Sequence, residues 1–161
     1  AKKLAREVLD NSKASQLPVE LDELCKRFSI QVDYTDFPED LAGLFTKNRK
    51  GESLISINKN HPLRRQRFTL AHELGHFFLH GFQPLMYDTN HPELLYTGME
   101  NAPQFRRFLE TEANLFAAEV LMPEESLEKD FNTLKDPMKL AEKYQVSEAV
   151  MQFRLKSLRL V

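Results

Sequence analysis

His72, Glu73 and His76 stand as His-Glu-x-x-His inside the apolar stretch Thr69-Leu70-Ala71-His72-Glu73-Leu74-Gly75-His76-Phe77-Phe78-Leu79-His80. No proline interrupts the chain after Pro62, so the pattern predicts a helix from about Pro62 to His80. On a helix, His72 and His76 fall at i and i+4, one above the other, and two imidazoles so placed can share one metal ion. Glu73 is turned away from that pair but can still reach a water held by the ion. Two nitrogen ligands with a carboxylate beside an activated water are what a zinc hydrolase needs. Ordinary surface or core histidines are the competing explanation. They fit poorly, because ionisable groups on an otherwise apolar helix are costly to desolvate unless paired or metal-bound.

Two histidines do not complete a catalytic zinc site, which uses three protein ligands and keeps one position for water. The segment Glu110-Thr111-Glu112-Ala113-Asn114, within a strongly helical stretch from Gln104 to Val120, is the best source of a third. Glu110 is preferred over Glu112 because Asn114 then lies at i+4 on the same face. There its side-chain carbonyl can accept the outer N–H of a ligand histidine. Glu112 then reads as an exposed charge, and Glu119 as structural or exposed. His80 extends the histidine row, but helix geometry puts it about 12 Å along the axis from His72, too far for one ion to bond both. It is expected to support the site or the fold. Cys25, the single cysteine, lies in a helical pattern and reads as a small buried residue.

The elements that must position these groups follow from periodicity. Residues 2–14 and 19–28 read as helices separated at Leu17-Pro18. Ile30–Tyr34, Gly43–Lys47 and Leu54–Asn58 read as short strands, the last two joined by a turn at Asn48-Arg49-Lys50-Gly51. A small, mostly antiparallel sheet is expected to pack on the motif helix. His61 reads as an exposed boundary residue, and Arg64, Arg65 and Arg67 as a solvated face with salt bridges. Gly81 is placed to end the motif helix as a left-handed cap. Residues 82–103 carry no period and read as a long loop, in which Tyr87, His91 and Tyr96 are candidates to stabilise an oxyanion. A helix is expected to start at Pro123-Glu124-Glu125, and a last pair to cover about 136–144 and 147–158, with Ser147 as N-cap.

The totals agree with an α+β protein whose C-terminal half is mostly helical. At 161 residues, 42% hydrophobic and 29% charged, the chain has the composition of a soluble globular domain with a small appendage. A net charge of −2 gives no sign of nucleic-acid or membrane-surface binding. One cysteine rules out an internal disulfide. No signal-peptide core or transmembrane run is visible, so a cytoplasmic location is expected. With no tryptophan, the 12 phenylalanines are expected to carry much of the core.

Arg67-Phe68-Thr69-Leu70-Ala71-His72-Glu73-Leu74-Gly75-His76, followed by His80, resembles the active-site signature of the ImmA/IrrE family of zinc metallopeptidases. Glu110-Thr111-Glu112-Ala113-Asn114-Leu115-Phe116-Ala117-Ala118-Glu119-Val120-Leu121-Met122-Pro123 resembles that family's second signature. Leu17-Pro18-Val19, Gly43 and Ile57-Asn58 fit as well, and the likeness covers about residues 1–130. It implies a zincin-like fold with Zn2+ held by His72, His76 and Glu110, Glu73 as general base, and a repressor or other regulator protein as substrate in a bacterial, phage or mobile-element stress response. Residues 131–161 then form a C-terminal helical extension. Leu140 to Leu155 looks like a helix-turn-helix pair, but Arg154, Lys156 and Arg159 are its last helix's few basic residues, so packing is expected rather than DNA contact. Two readings follow. One is a zinc endopeptidase whose substrate lies extended along a sheet edge. The other is a non-proteolytic regulatory module that keeps the fold and binds a partner regulator.

Overall fold

Three strands and seven helices are formed among the described residues of the computed structural model, which are 1–12, 16–47, 50–80 and 103–161. The apolar faces read from periodicity become α1 (Lys2–Ser12) and α2 (Leu21–Arg27). They are followed by β1 (Ile30–Thr35), β2 (Gly43–Lys47) and β3 (Ser53–Asn58). The motif helix is α3 (Leu63–His80), and α4 is Pro103–Leu121. The chain ends with α5 (Glu124–Leu134), α6 (Pro137–Tyr144) and α7 (Glu148–Ser157). Gly81 and residues 82–102, with Tyr87, His91 and Tyr96, lie outside the described residues.

The sheet is mixed rather than mostly antiparallel. Its order is β1-β3-β2, with β1 parallel and β2 antiparallel to β3. The reason lies in residues 36–42. Thr35 pairs with Asn58, and Gly43 pairs with Ile57, so β1 ends and β2 begins at the same end of β3. The connection passes over that end, and the chain returns through β2 to fill the central place with β3. Asn58, fully buried, makes this crossing stable. Its side-chain amide donates to the carbonyls of Phe37, Pro38 and Leu41 at 2.8–3.2 Å, and its oxygen accepts from the Asn60 backbone. These bonds satisfy loop carbonyls that would otherwise be left unpaired beside the core. His61, expected to be exposed, is buried as well, with Nε2 2.9 Å from the Glu39 carbonyl oxygen. Both residues therefore clamp the same loop.

β3 is buried on both faces at Ile55, Ser56 and Ile57, as a central strand should be. α3 packs on the sheet at β2 and β3 and lies along α4. A Cβ on Gly43 would meet Thr69 Cγ2 at 2.7 Å, so only a glycine lets α3 sit this near the β2 edge. The core is largely aliphatic, from Ala5, Val8, Leu24, Ile55 and Leu74 through to Leu140, Met151 and Leu155. Phenylalanine lines the core at two depths, with Phe28, Phe68, Phe77, Phe78 and Phe131 packed against it partly buried. Phe45 and Phe116 are buried, whereas Phe105, Phe108 and Phe153 lie on exposed helix faces. The last two helices carry side-chain N-caps, Ser147 being the one expected from the sequence. The Asp136 side chain accepts from Met138 and Lys139, and the Ser147 hydroxyl accepts from Val150.

Arg154 belongs to the interior. It donates to Glu119 Oε2 and to the Met122 carbonyl, and Glu119 Oε1 accepts from Arg6 Nε at 2.8 Å. The pair joins α7, α4 and α1 and is closed to solvent at Arg154 and Glu119. Arg67 departs from the solvated face expected of it. It is partly buried and donates to the Val19 carbonyl at 2.9 Å, tying α3 to the segment that enters α2. Among the described residues, no helix is long and apolar enough to cross a membrane.

Candidate metal centre

α3 and α4 come close because nothing stands between them at one point. A Cβ on Gly75 would lie 3.0 Å from both Cα and the carbonyl oxygen of Ala113, tighter than nearly all such contacts. Gly75 sits one residue before His76, and Ala113 lies between Glu112 and Asn114. The helix crossing is therefore centred on the residues whose neighbours carry the chemistry.

Around that contact, His72, His76 and Glu110 each offer one ligand atom within 4.8 Å of the others. The two Nε2 atoms are 3.0 Å apart. Glu110 spans them, with Oε2 3.2 Å from His72 Nε2 and Oε1 3.4 Å from His76 Nε2. Two imidazole nitrogens and a carboxylate, gathered from two helices and facing one another, suit a zinc ion. Glu110 is 39% exposed, so the group is reachable from solvent.

The outer nitrogens have partners too. His72 Nδ1 lies 2.9 Å from Asn114 Oδ1, the relation anticipated from the i+4 spacing of Glu110 and Asn114. His76 Nδ1 lies 3.0 Å from His80 Nδ1. His80 Nε2 in turn is 3.5 Å from Glu112 Oε2. Glu112 is thus half-buried beside His80, not the exposed charge that its position suggested. Both glutamates face α3 because Ala113 marks the contact line: Glu110 and Asn114 flank it on one side and Glu112 on the other, at about 100° per residue. The histidine row crosses the same line. Each i+4 step overshoots a full turn by about 40°, so His80 has moved round toward Glu112. This drift is the signal by which Glu112 could have been found.

Glu73 is buried, 3% exposed, and its Oε2 has no hydrogen-bond partner among the described residues. Burial, with the nearby Glu110 charge, pushes its carboxyl up to about 7 against the opposing pull of His72. An acid poised there is suited to take and return a proton near neutral pH. Burial pulls His72 down, but Glu110, Glu73 and Asn114 together outweigh it and leave His72 raised. His76 and His80 are lowered, chiefly by burial, which favours neutral imidazoles at both.

Residues 25–156 match the Peptidase M78 family, described as an IrrE N-terminal-like domain. A stretch of 107 residues, 64% of this chain, is 36% identical to the radiation response metalloprotease IrrE of Deinococcus radiodurans. That stretch spans 30% of the Deinococcus protein's length. A Mycobacterium tuberculosis transcriptional regulator has a similar fold, with a TM-score of 0.65 and 19% identity over 96% of this chain and 46% of that one. At that identity the likeness speaks for the fold alone. The family match runs from α2 into α7 and takes in both helices of the candidate centre, so the chain belongs to the IrrE N-terminal-like family of metallopeptidases, a membership that implies a bound metal ion.

Proposed function

We propose that the chain is a zinc-dependent endopeptidase with the zincin-like arrangement of a motif helix packed against a small sheet. The observation that carries this reading is the meeting of His72, His76 and Glu110 within 4.8 Å, next to a buried carboxylate with an oxygen unpartnered among the described residues. His72 and His76 would hold the ion through Nε2, and Glu110 through its carboxylate. Zinc bound there would supply Lewis acidity, making water acidic enough to be deprotonated near neutral pH. Glu73 takes that proton at its carboxylate as the water attacks a peptide carbonyl, keeps it out of bulk solvent, and delivers it to the leaving amine. Asn114 accepts the Nδ1–H of His72 and so keeps the His72 Nε2 lone pair directed at the ion.

The substrate in this reading is a repressor or other regulator protein of a bacterial, phage or mobile-element stress response, a helix-turn-helix protein among the candidates, met in the cytoplasm as an extended segment. The Deinococcus relative is named for a radiation response, which supports that class. β2 is the favoured edge to receive it. Among the described strands it is an edge of the sheet, and it lies against α3 through Gly43–Thr69 and Phe45–Phe77. Residues 1–130 form the catalytic domain and 131–161 a helical extension packed on it, with no nucleic-acid contact assigned to Arg154, which is buried. The experiment is incubation of the zinc-loaded chain with regulator proteins encoded beside it, with and without a chelator. Chelator-sensitive cleavage that is lost in Glu73→Gln supports the peptidase. Tight regulator binding without cleavage in any zinc-loaded preparation supports a non-proteolytic regulatory module instead.

A further inference from the structure

We propose that Glu112 and His80 form a positioning chain that selects the tautomer of His76 required for metal binding, independently of the Asn114 brace on His72. The inference rests on the metal-site reading above. His76 is 1% exposed, so its outer nitrogen has no access to bulk water. A neutral imidazole carries one N–H, and it can bind an ion through Nε2 only if that hydrogen is on Nδ1. His76 Nδ1 faces His80 Nδ1 at 3.0 Å. Two arrangements of this pair are possible. In one, His76 donates and His80 accepts, leaving the His76 Nε2 lone pair free for the ion. In the other, His80 donates, His76 carries its hydrogen on Nε2, and the ligand position is blocked.

Glu112 breaks the tie. Among the described residues the buried Nε2 of His80 makes no close hydrogen bond, and Glu112 Oε2 lies 3.5 Å away. A carboxylate is acceptor-only, so it favours the His80 tautomer with hydrogen on Nε2. That leaves His80 Nδ1 as an acceptor and places the His76 hydrogen on Nδ1. The line therefore runs from a carboxylate with access to solvent, through a neutral imidazole, to a fully enclosed ligand. Each ligand histidine is braced from outside by a different group. His72 has an amide on α4, and His76 has an imidazole on its own helix that is in turn held from α4.

The test is zinc affinity of the purified metal-free chain, measured by competition with a chromophoric chelator, together with the visible spectrum of the cobalt(II)-loaded form. Removing a hydrogen-bond partner of a ligand histidine typically costs about 10–100-fold in metal affinity. His80→Phe is expected to lose roughly that much. His80→Asn, which returns an acceptor oxygen near the position of Nδ1, is expected to recover most of it. Glu112→Ala should weaken zinc by about 10-fold and shift the cobalt spectrum, with folding unchanged by circular dichroism, since the side chain is half-buried at the rim. Glu112→Ala should cost nothing further when combined with His80→Phe, whereas Asn114→Ala should add to either. Parental zinc affinity and cobalt spectrum in Glu112→Ala would overturn the proposal, as would an undiminished Glu112→Ala cost beside His80→Phe. If His80→Phe does not fold, Glu112→Ala and its spectrum still decide the matter. A parent chain that binds no zinc refutes the metal-site reading itself. A parent that binds zinc, with variants that match it, refutes the positioning chain alone.

Discussion

Two glutamates of α4, Glu110 near its middle and Glu119 near its C-terminal end, are used in opposite ways. Glu119 is fully buried and fully engaged. Arg6 and Arg154 donate to its two oxygens, and the Glu124 backbone N–H approaches one of them at 3.4 Å. Glu110, two and a half turns earlier, is partly exposed and faces two imidazoles. Beside it, Glu73 is buried with an oxygen that no described residue satisfies. A buried carboxylate with two guanidinium partners is a settled structural joint, because its desolvation is offset where it stands. A buried carboxylate with an orphaned oxygen carries an unrelieved desolvation penalty, and sites that do so are held in place by the rest of the fold for a purpose. One helix thus separates a joint from a reaction site by what surrounds each carboxylate.

The largest expected effect is at the reaction site. Glu73→Gln keeps the side chain's size but removes the proton acceptor, and cleavage should fall by at least about 10²–10⁴-fold. Zinc content should not change, and thermal stability should hold or rise, since a buried charge is replaced by a neutral amide. Turnover, metal analysis and a melting curve on the same preparation check all three. A variant that cleaves like the parent removes Glu73 from the chemistry and collapses the contrast with Glu119.

The joint should answer in stability and not in chemistry. Arg154→Ala leaves Glu119 buried against Arg6 alone and is expected to destabilise by about 3–5 kcal/mol, read from denaturant unfolding. Replacing both partners, with Glu119→Leu and Arg154→Met, should cost much less than the single change, because no uncompensated charge remains. Zinc affinity measured on folded protein should be the same in all three. A loss of zinc binding that tracks the loss of stability would show that the two regions of α4 are coupled.

Gly75→Ala sharpens the comparison from a third side. The added methyl would lie 3.0 Å from Ala113 backbone atoms, so α3 and α4 must separate by a few tenths of an ångström. Overpacking of this kind costs about 1–3 kcal/mol. Because the same contact brings Glu110 to His72 and His76, zinc affinity should drop together with stability, unlike any change at Arg154. Competition titration and unfolding of one variant provide both readings. Unchanged zinc affinity with lowered stability would mean that the ligand geometry does not depend on the close approach.

What could be read from residues alone was local. The i, i+4 pair His72 and His76, the i, i+4 pair Glu110 and Asn114, the N-cap Ser147 and nearly every helix depend on neighbours within a turn or two. What could not be read depends on where distant segments meet. The parallel pairing of β1 with β3 follows from a connection over the end of β3, held by Asn58 from 17–21 residues away. Arg6 reaches Glu119 across 113 residues. His61 looks like a boundary residue until the 36–42 loop is laid on it. Glu112 reads as an exposed charge once Asn114 is paired with Glu110 at i+4. α3 lies on the line between the faces of Glu110 and Glu112, so both can touch it. Several phenylalanines pack on the core while Phe105, Phe108 and Phe153 do not, because apolar character alone does not say which face of α4 or α7 meets it.

The smallest effect separates the two regions by pH. The hydrogen bonds and charges of Arg6 and Arg154 outweigh burial and hold Glu119 below the ordinary glutamate value of 4.5. A carboxyl depressed by folding contributes stability that is fully present above its unfolded value and is lost as pH falls through its folded value. The parent chain should therefore lose stability on acidification below about pH 4.5, with Glu119 contributing to the slope. Glu119→Gln should be less stable than the parent at pH 7, and the gap should narrow as pH falls below 4.5. Metal-free protein is the right material, so that zinc release on acidification does not add its own slope. Denaturant midpoints at several pH values measure the gap. A gap that stays constant down to the acid limit would mean that Glu119 titrates alike in the folded and unfolded chain, and the joint would then be a matter of packing and hydrogen bonding rather than of charge.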